Sequence, residues 1–253
     1  MIGARWMRAV ICAGAAMAAP AAARAQAMPP PVGDLPLVEV PAQGRPAGDL
    51  IAVMLSADGG WATLDRGVAA GLARDGVPVV GWSSLDYYRR PRTPAEASAD
   101  LARVLRHYLD AWRGRRALLV GYSFGADVLP LLVNRLPADL RARVAGVALI
   151  GFSPRAVFEF HASEWVGVVR GQQYPTLPEV RRLRDLPVFC IYGTGDRAEA
   201  CAGLGMANAT IVAIPSGHRM SGVAATVGQV VDREARELMH PGAVSDGGRA
   251  RGS

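Results

Sequence analysis

The chain has 253 residues, 51% hydrophobic and 20% charged, enough apolar content to build a core and too much for a disordered polymer. Its formal charge is +6 and it contains no lysine; three of its arginines (Arg5, Arg8, Arg24) stand in a first stretch of 25 residues that holds no acid. Half of the charge therefore belongs to that stretch, and the dispersed remainder lacks the clustering of a nucleic-acid-binding protein.

In chain order, the first segment reads as a targeting signal. Residues 1–8 carry two arginines, residues 9–19 form an alanine-rich apolar run, and Ala23-Arg24-Ala25 or Ala25-Gln26-Ala27 offers a small-x-small cleavage site. This is the three-part pattern of a secretory signal peptide over residues 1–25, too short to span a bilayer stably. The competing reading is an uncleaved N-terminal anchor. No later stretch reaches the roughly 18 apolar residues of a transmembrane helix, so the expected location is the periplasm.

Residues 28–48 are rich in Pro and Gly around one apolar run at 35–40, which suits an edge strand. A regular alternation follows. Continuous apolar runs at 50–55, 77–82, 117–120, 144–150, 186–192 and 210–214 read as buried strands. Helical spacing covers 64–74, 94–112, 125–136 and 223–239, and the longest of these places Leu101, Leu105, Tyr108 and Trp112 on one face. Residues 153–183 break the rhythm with aromatics, Pro and Gly and read as an insertion over the end of the sheet. Residues 241–253 read as a disordered tail. Unbroken apolar strands separated by helices imply an α/β domain over residues 35–240, with a mostly parallel, doubly wound sheet covered on both faces.

The chemistry centres on Gly121-Tyr122-Ser123-Phe124-Gly125. It is a G-x-S-x-G elbow with a strand before it and a helix after it, the context in which the motif carries a nucleophile. A serine hydroxyl is weak at neutral pH and needs a base oriented by an acid. His218, after the strand at 210–214, is the best-placed base; His107 lies within a helix, His161 in the insertion and His240 beside the tail. Asp196, after the strand at 186–192, is the acid, with Glu199 as a rival. The order Ser123, Asp196, His218 is that of α/β-hydrolases. The oxyanion hole calls for two backbone N–H groups. One comes from Phe124, the other from Ala57 or Asp58 in the Gly-rich loop at 56–61. An ester attacked this way requires no metal and no cofactor.

Residues 1–25 contain Cys12, and the other two cysteines, Cys190 and Cys201, are eleven positions apart. In an oxidising compartment they suit a disulfide; two unpaired thiols are the alternative.

Ser56-Ala57-Asp58-Gly59-Gly60-Trp61, Ser84-Leu85-Asp86-Tyr87-Tyr88 with Arg92-Thr93-Pro94, the run from Gly121 to Pro130, Phe158-Glu159-Phe160-His161 with Trp165, and Gly217-His218 together resemble the VirJ/AcvB family of bacterial virulence proteins, over about residues 35–239. The resemblance implies a periplasmic α/β-hydrolase domain linked to type IV secretion. It also implies cleavage of the aminoacyl ester of lysyl-phosphatidylglycerol, an aminoacylated phospholipid at the outer face of the inner membrane. By position it makes Ser123 the nucleophile, His218 the base and Asp196 the acid. Such a substrate carries an ammonium group, for which Asp58, Asp86, Asp127 and Glu159 are candidate partners; Asp58 and Asp127 alternatively cap backbone N–H groups. His161 is a candidate substrate-binding residue, and Trp61, Phe158, Phe160 and Trp165 are candidates for an apolar acyl-facing or membrane-facing wall, with core packing the other reading for Trp61. Three functions compete: an aminoacyl-phospholipid esterase, a general exported carboxylesterase or thioesterase, and a non-catalytic partner of secretion-system proteins.

Overall fold

A computed structural model describes residues 31–44, 48–159 and 172–240. The expected signal peptide, Cys12, Phe160, His161, Trp165 and the expected tail lie outside the described residues. Strand β1 spans Leu37–Val40, β2 Leu50–Leu55, β3 Val79–Trp82, β4 Arg116–Tyr122 and β5 Val144–Ile150. The short strands β6 (Arg155–Ala156) and β7 (Tyr174–Pro175) precede β8 (Val188–Gly193) and β9 (Ala209–Ile214). The main sheet runs β1-β3-β2-β4-β5-β8-β9. All its pairings are parallel except that of edge strand β1 with β3.

Helices α1 (Thr63–Arg74), α2 (Ser84–Tyr87), α3 (Pro94–Ala111), α4 (Phe124–Val133), α5 (Ala138–Arg141), α6 (Leu177–Arg181) and α7 (Ala224–Met239) complete the described fold. Strand β2 shows why the apolar runs are unbroken. Ile51, Val53 and Leu55 face the core built with α3 and α4, whereas Leu50, Ala52 and Met54 face the core built with α1 and α7. A period-two strand buried on both faces has no polar side to alternate with. This is the mostly parallel, doubly wound sheet that the composition of the strands implies.

Several boundaries differ from the sequence expectation for identifiable reasons. Strands β3 and β8 begin two residues late because Pro78 and Pro187 have no N–H to donate; their carbonyls still accept from Ala52 and Val147. Strand β4 runs on to Tyr122 because its register with β5 continues to Ile150. The single turns α2 and α5 are too short to show periodicity. The insertion is closed at its neck by the antiparallel pairing of β6 with β7.

Cys190, in β8, is bonded to Cys201, with Cα atoms 5.5 Å apart and both residues fully buried. The loop that they close carries Asp196. Closing so short a loop contributes roughly 3 kcal/mol, and it restricts the segment that must hold a carboxylate in register.

The sheet's order reverses at β2. From β2 the chain passes through α1 to β3 on one side, then returns through α3 to β4 on the other. The loops after β2 and β4 therefore diverge at the C-terminal edge of the sheet, where such folds form a crevice.

Candidate active site

Ser123 occupies that crevice between β4 and α4. Its backbone is left-handed, with φ 50° and ψ −115°, a conformation that a non-glycine residue holds at a cost of about 1–3 kcal/mol. The flanking glycines show what maintains it. A Cβ on Gly121 would lie 2.5 Å from the carbonyl oxygen of Gly125 and 2.6 Å from the Ala126 backbone. A Cβ on Gly125 would overlap the Leu55 carbonyl and sit 2.7 Å from Ser56 O. Strand β4, helix α4 and the end of β2 thus approach more closely than any side chain permits. The Ser123 N–H, donating to Ile150 O at 2.8 Å, fixes the elbow to β5.

The Ser123 hydroxyl lies 2.7 Å from His218 Nε2, and His218 Nδ1 lies 2.6 Å from Asp196 Oδ2. A carboxylate only accepts, so Nδ1–H donates to Asp196, and Nε2 is left to accept the serine proton. Asp196 is nearly enclosed, its side chain 5% exposed, while His218 is 39% exposed and open to an incoming group. Its second oxygen accepts from the Ala198 N–H at 3.0 Å.

The two loops that carry acid and base are tied together. Thr194 N–H donates to Ile214 O and Gly195 N–H to Ser216 O, both at 2.9 Å. A Cβ on Gly193 would meet Ser216 O at 2.5 Å. Glu199, the rival acid, instead accepts from the Ala202 N–H at 3.2 Å, a local contact within its own loop. Of the two acids, Asp196 is the one that meets His218.

The loop after β2 is pinned by serines and by one buried acid. Ser84 N–H donates to Ser56 Oγ (2.9 Å) and Ser84 Oγ–H to Ser56 O (2.6 Å), while Gly60, at φ 76°, returns its N–H to Ala57 O (3.0 Å). Asp65, fully buried in the first turn of α1, accepts from the Ala62 N–H at 3.0 Å. The Ala57 N–H is among the groups that favour its charged form. Ala57 and Asp58 both remain the loop's candidate oxyanion donors opposite Phe124. Phe124, first residue of α4, has an N–H with no acceptor inside the helix.

Burial pushes the Asp65 carboxyl up to about 6, and it does the same to Asp232 of α7. Unfolded, both titrate near pH 4. Between pH 4 and 6 the folded chain holds protons that the unfolded chain has released, so stability falls as pH rises through that window and levels off above it. Asp232 packs against Gly71 and leaves Oδ1 without a partner among the described residues. Asp232→Asn is therefore expected to match the parent at pH 4 and to exceed it by on the order of 2 kcal/mol at pH 7. Urea midpoints at the two pH values check this.

The remaining sequence candidates separate. Asp127 is not a free ammonium partner: its Oδ1 accepts from the Ser153 N–H at 2.7 Å, and burial raises its carboxyl well above the ordinary range. The capping alternative describes it. Trp61 lays its indole on Gly81 of β3, where a Cβ would meet the ring, so packing rather than substrate contact accounts for it. Asp86 accepts from Ser83 Oγ–H (2.7 Å) and pairs with Arg89 (3.1 Å) at the surface. Glu159 and Phe158 border a cavity of about 190 Å³ under the insertion. His161 lies outside the described residues. A larger cavity, about 240 Å³, opens at the opposite edge of the sheet beside Leu50, Trp112 and Gly114, remote from the elbow.

Two contributors escaped sequence reasoning. Asp65 was hidden inside a helical pattern, although an acid three residues after a loop end is the signature of an N-terminal cap. Tyr122 is a variable position in the motif, yet its hydroxyl donates to Arg219 O at 2.6 Å and fixes the residue beside His218.

Similarity to known proteins agrees with this fold. The sequence profile of the bacterial virulence protein VirJ matches residues 49–237. Among solved structures, the fold is similar to the esterase domain of a Rhodothermus marinus protein, at TM-score 0.56 and 16% identity, covering 79% of this chain and 98% of that one. It is similar to Est1E from Butyrivibrio proteoclasticus, at TM-score 0.59 and 15% identity over 80% and 93% of the two chains. An alpha-beta serine hydrolase homologue from Coxiella burnetii gives TM-score 0.56 and 14% identity over 78% and 90%. No curated protein sequence matches the chain.

Proposed function

The chain belongs to the VirJ family of bacterial virulence proteins, and from that premise we propose that it is a periplasmic serine hydrolase of the aminoacyl ester in lysyl-phosphatidylglycerol or a related aminoacylated phospholipid. The observation that carries the reading is the bonded series Ser123 Oγ, His218, Asp196 on a strained elbow.

Ser123 attacks the ester carbonyl while His218 Nε2 takes its proton. Asp196 holds the imidazole in the tautomer that leaves Nε2 free and stabilises the imidazolium that forms. The tetrahedral oxygen is received by the backbone N–H groups of Phe124 and of Ala57 or Asp58, reinforced by the positive end of α4. Collapse expels the phospholipid alcohol, protonated by His218, and leaves an aminoacyl ester on Ser123. Water, deprotonated by the same histidine, releases the amino acid.

An export route is supported by the Cys190–Cys201 disulfide, since such bonds persist in oxidising compartments, and by the signal-like first 25 residues. No helix among the described residues is long and apolar enough to cross a membrane; on the proposed export route the protein meets its lipid at the outer face of the inner membrane. A general exported carboxylesterase or thioesterase uses the same site, and the similar structures include proteins named as esterases. A non-catalytic partner of a secretion apparatus needs none of the three bonded side chains.

Purified protein incubated with lysyl-phosphatidylglycerol and with p-nitrophenyl butyrate, beside Ser123→Ala, separates these functions. Lysine release that the substitution abolishes is the expected result. Turnover of the butyrate alone replaces the reading with a general esterase, and inertness toward both replaces it with a binding role.

A further inference from the structure

The cavity under the insertion contains a cation that the mechanism does not use. Arg92, Thr93, Phe158, Glu159, Gln172 and Tyr174 are among the residues that line it. It lies on the active-site side of the fold. Phe124, next to Ser123, packs against Tyr88 at 4.9 Å between ring centroids, Tyr88 against Phe158 at 5.8 Å, and Phe158 against Tyr174 at 5.4 Å. The cavity is thus two ring contacts from the residue that follows the nucleophile.

Arg92 is held firmly but meets no carboxylate directly among the described residues. Its N–H donates to Phe158 O at 2.9 Å, and its guanidinium lies 4.6 Å from the centre of the Tyr87 ring. It forms no ion pair with a described carboxylate, and its buried Nε–H has no acceptor among the described residues. The acids whose fields reach it are already engaged. Glu96 accepts from the backbone and hydroxyl of Thr93 (2.7 and 2.9 Å), Asp100 from Tyr87 and Arg103 (2.6 and 2.7 Å), and Asp34 from Arg103. Glu159 has interactions of its own. Helix α3 begins at Pro94, immediately after Thr93, and adds the positive end of an 18-residue helix to the same spot. A partly buried guanidinium with no direct ion pair among the described residues, seated on an aromatic ring, is a planar fork for an oxyanion.

We propose that this cavity is a subsite for a phosphate-class oxyanion carried on the alcohol side of the scissile ester, with Arg92 as its charge partner. The assignment of side rests on the proposed function: an aminoacyl group brings a cation, which Arg92 repels, so the anion belongs to the leaving alcohol. Nothing in the chemistry of Ser123 requires the subsite; it sets which esters are presented.

Two measurements test it. In the first, Ser123→Ala protein is titrated calorimetrically with glycerophosphoglycerol and with inorganic phosphate, alone and combined with Arg92→Gln or Arg92→Lys. Binding that Arg92→Gln weakens 10- to 100-fold and Arg92→Lys weakens less is expected. Preference for the diester identifies a lipid headgroup as the source, and equal binding identifies free phosphate as an alternative source of the same group. No binding to the parent, or equal binding after Arg92→Gln with the fold intact by thermal melting, overturns the proposal.

In the second, kcat/KM is compared for lysyl-phosphatidylglycerol and the lysyl ester of a neutral diacylglycerol. Arg92→Gln should reduce the ratio of the two by 10- to 100-fold; an unchanged ratio overturns the subsite. Failure of the wild-type protein to cleave either lipid refutes the proposed function, while the binding experiment still decides the subsite.

Discussion

His218→Ala is expected to reduce kcat toward any ester by about 10⁴-fold or more, and adding Ser123→Ala to it should cost little beyond that. The reason is the shared proton. Ser123 Oγ and His218 Nε2 are 2.7 Å apart, so neither group acts without the other. Removing the base leaves a hydroxyl that cannot be deprotonated; removing the hydroxyl leaves a base with nothing to activate. What survives is assistance from the oxyanion donors and from binding, roughly 10³-fold over water in serine hydrolases that lack their triad. Single-turnover rates of the two single variants and the double variant on p-nitrophenyl butyrate measure this. Losses that multiply would mean independent roles and would refute the bonded series as one catalytic unit.

The sheet and the elbow were legible because each rests on a local signal. Six apolar runs mark strands, five of them buried on both faces, whereas the run expected to be buried at 210–214 is the largely exposed edge strand β9; G-x-S-x-G marks a point where glycine alone permits the approach of β4, α4 and the end of β2. Asp196 and His218 were legible because both follow strand ends in a fold that collects its functional loops there. Asp127 and Trp61 were not, because their surroundings come from distant segments: Ser153 lies 26 positions from Asp127, and the ring of Trp61 is placed by a glycine in the neighbouring strand. Arg92 was visible only as part of a motif. Its lack of an acceptor is a property of α3, Tyr87 and the insertion neck together, and no spacing rule encodes it. Asp65 shows a third case, in which a helix-capping pattern was present but its value came from the loop it faces.

Asp196→Asn is expected to lower kcat by about 10⁴-fold, against a change of less than about twofold for Glu199→Gln. The surroundings of Asp196 dictate how the amide must sit. One carboxylate oxygen accepts from the Ala198 N–H at 3.0 Å and the other from His218 Nδ1–H at 2.6 Å. Asparagine has a single oxygen, and the Ala198 N–H, fixed in the backbone of a loop that the disulfide closes, claims it. The amide NH₂ then faces Nδ1, which must accept rather than donate. The imidazole proton moves to Nε2, and the ring presents a donor to Ser123 where it needs an acceptor. The histidine remains in place but in the wrong tautomer, so KM should change far less than kcat. Among the described residues Glu199 accepts from the Ala202 N–H, and an amide oxygen serves that contact as well as a carboxylate. Equal losses from the two substitutions would move the acid role away from Asp196.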